Sequence, residues 1–212
     1  MALVLGTNCG FVTVAPVDDP EVSGTTIDNY AYAFKVVAPS GAIKVTEIGW
    51  YSDSISEEAN FEVGIYSHNA GTDFPDELIG VSRTNAKGTT KDWKKVTGLN
   101  IEITEGTTYW IAVQLDDTAT TTSISYVYGT SERNSRESSS TELASPWVST
   151  TTRGSLYSIY AVYEAAPTGT NMKINIADAW KDVDSMKINI ADAWKDVAEV
   201  KQNIGDAWKV VY

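Results

Sequence analysis

The chain has 212 residues, 21% of them charged, and a formal net charge of −12. That length accommodates one ordinary domain with a buried core plus an appendage, and the acidity argues against a nucleic-acid partner, which requires clustered Lys and Arg. Eleven Tyr and seven Trp among many Thr and Val give the composition of a β-rich globular chain rather than a disordered one.

The opening MALVLGTNCG holds a short apolar run, but no Lys or Arg precedes Lys35, so the basic start of a secretory signal is missing and no signal peptide is expected. Cys9 is the single cysteine. It allows no internal disulfide and is expected as a small buried apolar residue. No stretch approaches the ~18 consecutive apolar residues of a membrane span, so no membrane insertion is expected.

Through about residue 164 the apolar residues recur at every second position, in runs bounded by Gly, Pro, Asn and Asp, which predicts half-buried strands. FVTVAP opens the series, and a Pro-flanked loop with Asp18 and Asp19 follows. Tyr30, Tyr32, Phe34 and Val36 line one face of the next strand. AIKVTEIGWYS is another, and Phe61, Val63 and Ile65 share a face in NFEVGIYS. His68 falls in SHNAGTDFPDE, predicted as a solvent-exposed loop. ELIGVSR and WKKVTGLNIEIT continue the pattern. In TTYWIAVQLDD, Tyr109, Ile111, Val113 and Leu115 face one way while Trp110, Ala112 and Gln114 face the other, so a central strand is predicted. SISYVYG precedes a serine-rich, hydrophilic stretch from about Gly129 to Pro146, predicted as a mobile or binding loop. SLYSIYAVYE is the last of these strands. The predicted fold is all-β: an antiparallel, jelly-roll-like β-sandwich over residues 1–164.

EAAPTGTN then reads as a linker, residues 165–171, and three 14-residue repeats occupy residues 172–212, KINIADAWKDV twice and KQNIGDAWKVV once. As a helix, Met172, Ile176, Ala179 and Val183 form a heptad seam of a coiled coil. As hairpins, each repeat is strand, two-residue turn, strand, with turns at Ala177-Asp178, Ala191-Asp192 and Gly205-Asp206. Opposed positions then match, with Asn175 facing Trp180 and Lys173 facing Asp182. The Asn and Asp content favours hairpins over helix. The repeats carry six Lys against seven Asp and Glu, so most of the negative charge lies ahead of them. Ile176, Trp180, Ile190, Trp194, Ile204 and Trp208 are the candidate assembly or docking residues, because single hairpins are marginal alone and gain by sharing a core.

Little catalytic chemistry is visible. His68 is the sole histidine, no nucleophile elbow or cysteine-protease context surrounds it or Cys9, and no Walker loop, GxGxxG turn or HExxH occurs. The chain is expected to be no enzyme and to need no cofactor. Ca2+ is the one ion considered, with Asp18, Asp19, Asp116 and Asp117 as loop carboxylates against the alternative of ordinary solvated acids. Trp93, Tyr128 and Trp147 are candidate stacking platforms for a glycan, against buried anchors for the two Trp.

The repeats resemble the short Trp hairpin units, I-N-I-G-D-x-W-K-x-V, near the ends of tailed-phage structural proteins; Ala177 and Ala191 depart from that pattern's glycine. Residues 42 to 116, with FEVGIYSHNAGTDFPDELIG and WKKVTGLNIEITEGTTYWIAVQ, resemble β-sandwich domains of microbial surface and phage proteins. The resemblance implies a virion accessory protein: a capsid decoration protein, head fibre or tail-fibre component. It would associate with itself as a homo-oligomer and with other virion proteins. The alternative is an adhesion module that binds host surface polysaccharide.

Overall fold

The computed structural model describes residues 2–149 and 151–166, without the side chains of residues 130–133, and beyond them the backbone of six four-residue strands. The chain divides into two compact units, Met1–Ala166 and Pro167–Tyr212. No helix occurs among the described residues. The protein is all-β.

The first unit contains β1 (Gly10–Val12), β2 (Gly24–Thr26), β3 (Tyr30–Val37), β4 (Ala42–Ser52), β5 (Asn60–Asn69) and β6 (Phe74–Ala86). It continues with β7 (Asp92–Glu102), β8 (Thr108–Leu115), β9 (Ser123–Ser138), β10 (Thr152–Tyr157) and β11 (Ile159–Ala165). They join in one connected sheet in the order β1-β11-β4-β9-β3-β8-β5-β6, with β10 and β2 on β9 and β7 on β4. The sheet is mixed where the sequence predicts purely antiparallel pairing: β1 runs parallel to β11. The cause is local. β11 pairs antiparallel with β4 along one edge, and the buried segment Gly10–Val12 covers the other, where Phe11 meets Tyr163 and Tyr109 edge-on at 6.4 and 6.5 Å.

Period-two alternation places the side chains. On β3, Tyr32, Phe34 and Val36 enter the main core while Ala31 and Ala33 enter a smaller cluster on the other face. β8 lies between β3 and β5. Its Tyr109, Ile111, Val113 and Leu115 join the main core, and Trp110 and Ala112 join the second cluster. In β4 the phase slips: a register shift between Val45 and Glu47 absorbs one residue, so Val45, Ile48 and Trp50 all reach the core despite their uneven spacing. Strands that share no hydrogen bonds meet across this core, as Trp50 of β4 does with Phe61 of β5 at 5.9 Å.

β9 replaces most of the predicted serine-rich loop. Its sixteen residues pair with β2 through Ser123–Ser125 and with β3 through Asn134–Ser138. Some of the hydrophilic side chains find partners within the sheet: Asn134 Nδ2 donates to the carbonyls of Arg153 and Ser155 at 3.0 and 3.2 Å, and Ser135 Oγ accepts from Trp147 Nε1 at 2.9 Å. The segment after β9 lays Leu143 and Trp147 into the second cluster with Tyr66 and Trp110.

In the second unit, β12 (Lys173–Ile176) pairs antiparallel with β13 (Ala179–Asp182), β14 (Lys187–Ile190) with β15 (Ala193–Asp196), and β16 (Lys201–Ile204) with β17 (Ala207–Val210). Each pair has the same register, with Asn175, Asn189 and Asn203 opposite Trp180, Trp194 and Trp208. The predicted turn pairs and linker residues 167–171 lie outside the described residues.

Candidate functional site

A cleft of about 320 Å³ opens along the β9–β10 ladder, lined by Thr25, Tyr32, Tyr126, Tyr128, Arg136, Arg153, Ser155 and Tyr157. Strand geometry gathers them. Tyr126 and Tyr128 are two apart on β9 and share a face, as do Arg153, Ser155 and Tyr157 on β10. In register, Tyr126 opposes Tyr157 and Tyr128 opposes Ser155. The ladder then jumps, with Gly154 opposite Arg133, so residues 129–132 leave the pairing beside the cleft. Gly129 begins the excursion with φ of 80°, a left-handed conformation that glycine adopts without a Cβ clash.

The aromatic groups are mutually braced. Tyr126 stacks on Tyr157 with ring centroids 6.0 Å apart, and Tyr157 lies 4.7 Å from Tyr32. Tyr157 is buried at 3% exposure whereas Tyr128, at 74%, stands open at the rim. Burial raises the ionisation of the Tyr157 and Tyr32 phenols above the usual tyrosine range, with the Arg136 charge opposing it at Tyr32. Both remain neutral, and Tyr32 donates its hydroxyl hydrogen to the Thr26 carbonyl at 2.7 Å.

Among the described residues, two cations and no carboxylate line this cleft, in a chain of net charge −12. The Arg136 guanidinium sits over the Tyr30 ring at 4.8 Å, a cation–π contact that fixes its plane. Neither Arg136 nor Arg153 has an ion-pair partner among the described residues. Ser155 is 1% exposed, and its Oγ makes no hydrogen bond among the described residues. Such a surface can hold a flat ring against an aromatic face and orient it through polar groups. Among the described residues, no nucleophile–base pair lines it.

The structure separates the three candidate glycan contacts. Tyr128 lies in the cleft. Trp147 is elsewhere and 7% exposed, its ring edge-on to Tyr66 at 5.2 Å and its N–H donated to Ser135 Oγ at 2.9 Å, so it has no open face for a sugar. Trp93 is half-buried between Tyr51 and Tyr160, 5.2 and 5.3 Å away, and donates to the Asp18 carbonyl at 2.9 Å.

The candidate calcium carboxylates are not gathered. Asp19 shares the Lys91 ammonium with Asp53, at 3.2 and 3.0 Å, so a lysine sits where a cation would. Asp18 and Asp117 are exposed, and Asp116 Oδ1 accepts from Gln114 Nε2 at 3.2 Å. Among the described residues, no three His, Cys, Asp or Glu side chains group as metal ligands. His68 corrects a prediction: it lies in β5 rather than an exposed loop, because pairing with β6 runs on to Asn69 opposite Phe74, and its side chain is 16% exposed. Cys9 is buried.

Ile176, Trp180, Ile190, Trp194, Ile204 and Trp208 fall on the six short strands, and their side chains lie outside the described residues. Sequence reasoning missed Arg136, Arg153 and Tyr157 of the cleft. The alternation in SYVYG marks Tyr126 and Tyr128 as neighbours on one face, but only the β9–β10 pairing brings Arg153 and Tyr157 to them, and Arg136 lies on β9 beyond the excursion, opposite Tyr32 of β3. Comparison with known proteins finds no family model, no curated protein and no solved structure that matches the chain.

Proposed function

We propose that the protein is a non-enzymatic accessory component of a virus particle of the tailed-phage type, a decoration protein, head fibre or tail-fibre part. In this reading the first unit is a jelly-roll-like sandwich displayed outward, and the repeats are three hairpins that hold copies of the chain together or dock them on the particle. The observation that carries the reading is the threefold recurrence of one strand-pair register, Asn opposite Trp, in a unit separate from the β-domain. Short two-stranded units are marginal alone and gain stability by burying their aromatic and aliphatic side chains together. Truncation after Asn171 tests it: the β-domain should fold as a smaller species by sedimentation and lose association with purified particles. Unchanged oligomeric state and unchanged particle association would sink the proposal.

A second reading, adhesion to surface glycans, is favoured by the tyrosine-lined cleft. Its exposed Tyr128 ring and adjoining polar groups are the elements a saccharide site needs. The two readings are compatible, since a displayed domain that contacts a host surface needs both an anchor and a ligand cleft.

A further inference from the structure

We infer that the β9–β10 cleft takes an acidic saccharide, a uronic or nonulosonic acid unit, with its ring against Tyr128 and its carboxylate held by Arg136 and Arg153. The inference rests on the glycan-adhesion reading and deepens it to a ligand class. Three observations combine. Among the described residues the lining holds two guanidinium groups and no carboxylate, although the chain carries 28 Asp and Glu against 16 Lys and Arg. A neutral sugar leaves two such charges unanswered, while a carboxylate accepts the planar fork of an arginine through two parallel hydrogen bonds. Arg136 is already oriented by the Tyr30 ring at 4.8 Å, which lowers the ordering cost of binding.

The aromatic lining selects a ring-bearing anion over a bare one. Tyr128 offers a largely open face, and a pyranose presents a patch of C–H groups that packs on such a face. Tyr126 stacks on the buried Tyr157 ring and supports the wall behind it. The cleft volume, about 320 Å³, lies at the small end of ligand sites and suits one or two sugar units. Single-stranded nucleic acid also combines stacking with charge, but it needs a basic groove that follows the backbone over several nucleotides, and a cleft of about 320 Å³ with two arginines is too short for one.

The test titrates the full-length chain by calorimetry with trigalacturonic acid and α2,8-trisialic acid, with galactotriose, inorganic phosphate and a short oligothymidylate for comparison. At least one acidic trisaccharide should bind about tenfold more tightly than galactotriose, the difference shrinking as salt is raised. Arg153→Gln, at an exposed position, should abolish that preference at unchanged Tm, and Tyr128→Ala should weaken all saccharide binding. Equal affinity for galactotriose overturns the acidic ligand class and leaves the glycan reading standing. Binding of none of the trisaccharides overturns both. Tighter binding of oligothymidylate, or full displacement of the acidic sugar by equimolar phosphate, overturns the assignment to a saccharide.

Discussion

Trp110 Nε1 donates a hydrogen bond to His68 Nδ1 at 3.2 Å. An indole N–H can only donate, so Nδ1 must be the unprotonated nitrogen of a neutral imidazole, with the proton on Nε2. That nitrogen faces Asp73 Oδ1 at 3.8 Å, while Lys35 holds the same carboxylate at 2.5 Å. The partnership joins β5 to β8 on the face opposite the main core.

Protonation of His68 should therefore cost stability. Burial, then the Lys35 charge, lower its ionisation below the usual 6.5, with Asp73 opposing them. A folded-state value depressed below the unfolded one contributes stability that is complete above the unfolded value and is lost as pH falls through the folded value. The Tm should hold steady from pH 8 to 7 and decline as pH falls below about 6.5, before the carboxylates titrate. His68→Gln keeps an acceptor for Trp110 without a titrating ring and should flatten that limb. Parallel Tm curves for the two proteins between pH 7.5 and 5.5 would show the linkage to be wrong.

Trp147 should behave as a structural anchor rather than as a ligand contact. It joins the second cluster against Tyr66, satisfies Ser135 Oγ, and belongs to the segment after β9 that Glu62 pins, its Oε2 accepting from Leu143 N at 2.8 Å and from Arg83 Nη1 at 2.6 Å. Trp147→Ala should destabilise the first unit by about 3–5 kcal/mol through a cavity and an orphaned hydroxyl. Urea denaturation followed by Tyr and Trp fluorescence measures it. A loss below about 1 kcal/mol, the range of surface substitutions, would place the ring outside the core.

The strand phases were legible because burial on one face leaves its mark at every second residue. Tyr32, Phe34 and Val36 on β3, and Tyr109 through Leu115 on β8, follow that rule. The cleft was not legible, for two physical reasons. Its two principal strands pair across a ladder with a four-residue excursion, and nothing in local periodicity encodes a long-range register. Two buried polar residues of β9, Asn134 and Ser135, are held by hydrogen bonds rather than by apolar contact, so hydropathy marks them as loop. His68 was misplaced for a related reason, since SHNAG carries turn-forming residues while its first three positions still extend β5.

Gly49 should resist any side chain. It opposes Tyr160 across β4 and β11, and a Cβ there would lie 2.6 Å from the tyrosine ring. The ring has no easy retreat: its hydroxyl donates to Glu47 Oε1 at 2.5 Å and its other contacts include the Trp93 ring at 5.3 Å. Gly49→Ala should cost about 1–3 kcal/mol by overpacking. Tyr160→Leu in the same background should recover part of that loss relative to Tyr160→Leu alone. Additive effects in this double-mutant cycle, read from urea midpoints, would mean that the ring is not what excludes the methyl group.

The repeats offer a substitution whose sign separates the two architectures weighed from the sequence. At the turn, a two-residue hairpin connection of the favoured type places its first residue at φ > 0, which suits glycine and strains alanine. The third repeat has Gly205 there, while the first two have Ala177 and Ala191. If the proposed hairpins form, Ala177→Gly with Ala191→Gly should raise the thermal stability of tail-dependent self-association by a few tenths to about 1 kcal/mol per site. In a helix the same changes lower it by about 1 kcal/mol each, because glycine is the poorer helix former. Melting of the full-length assembly, followed by light scattering and far-ultraviolet circular dichroism, reads the sign directly. A lower midpoint in the double variant, with loss of helical signal, would reject the hairpin tail.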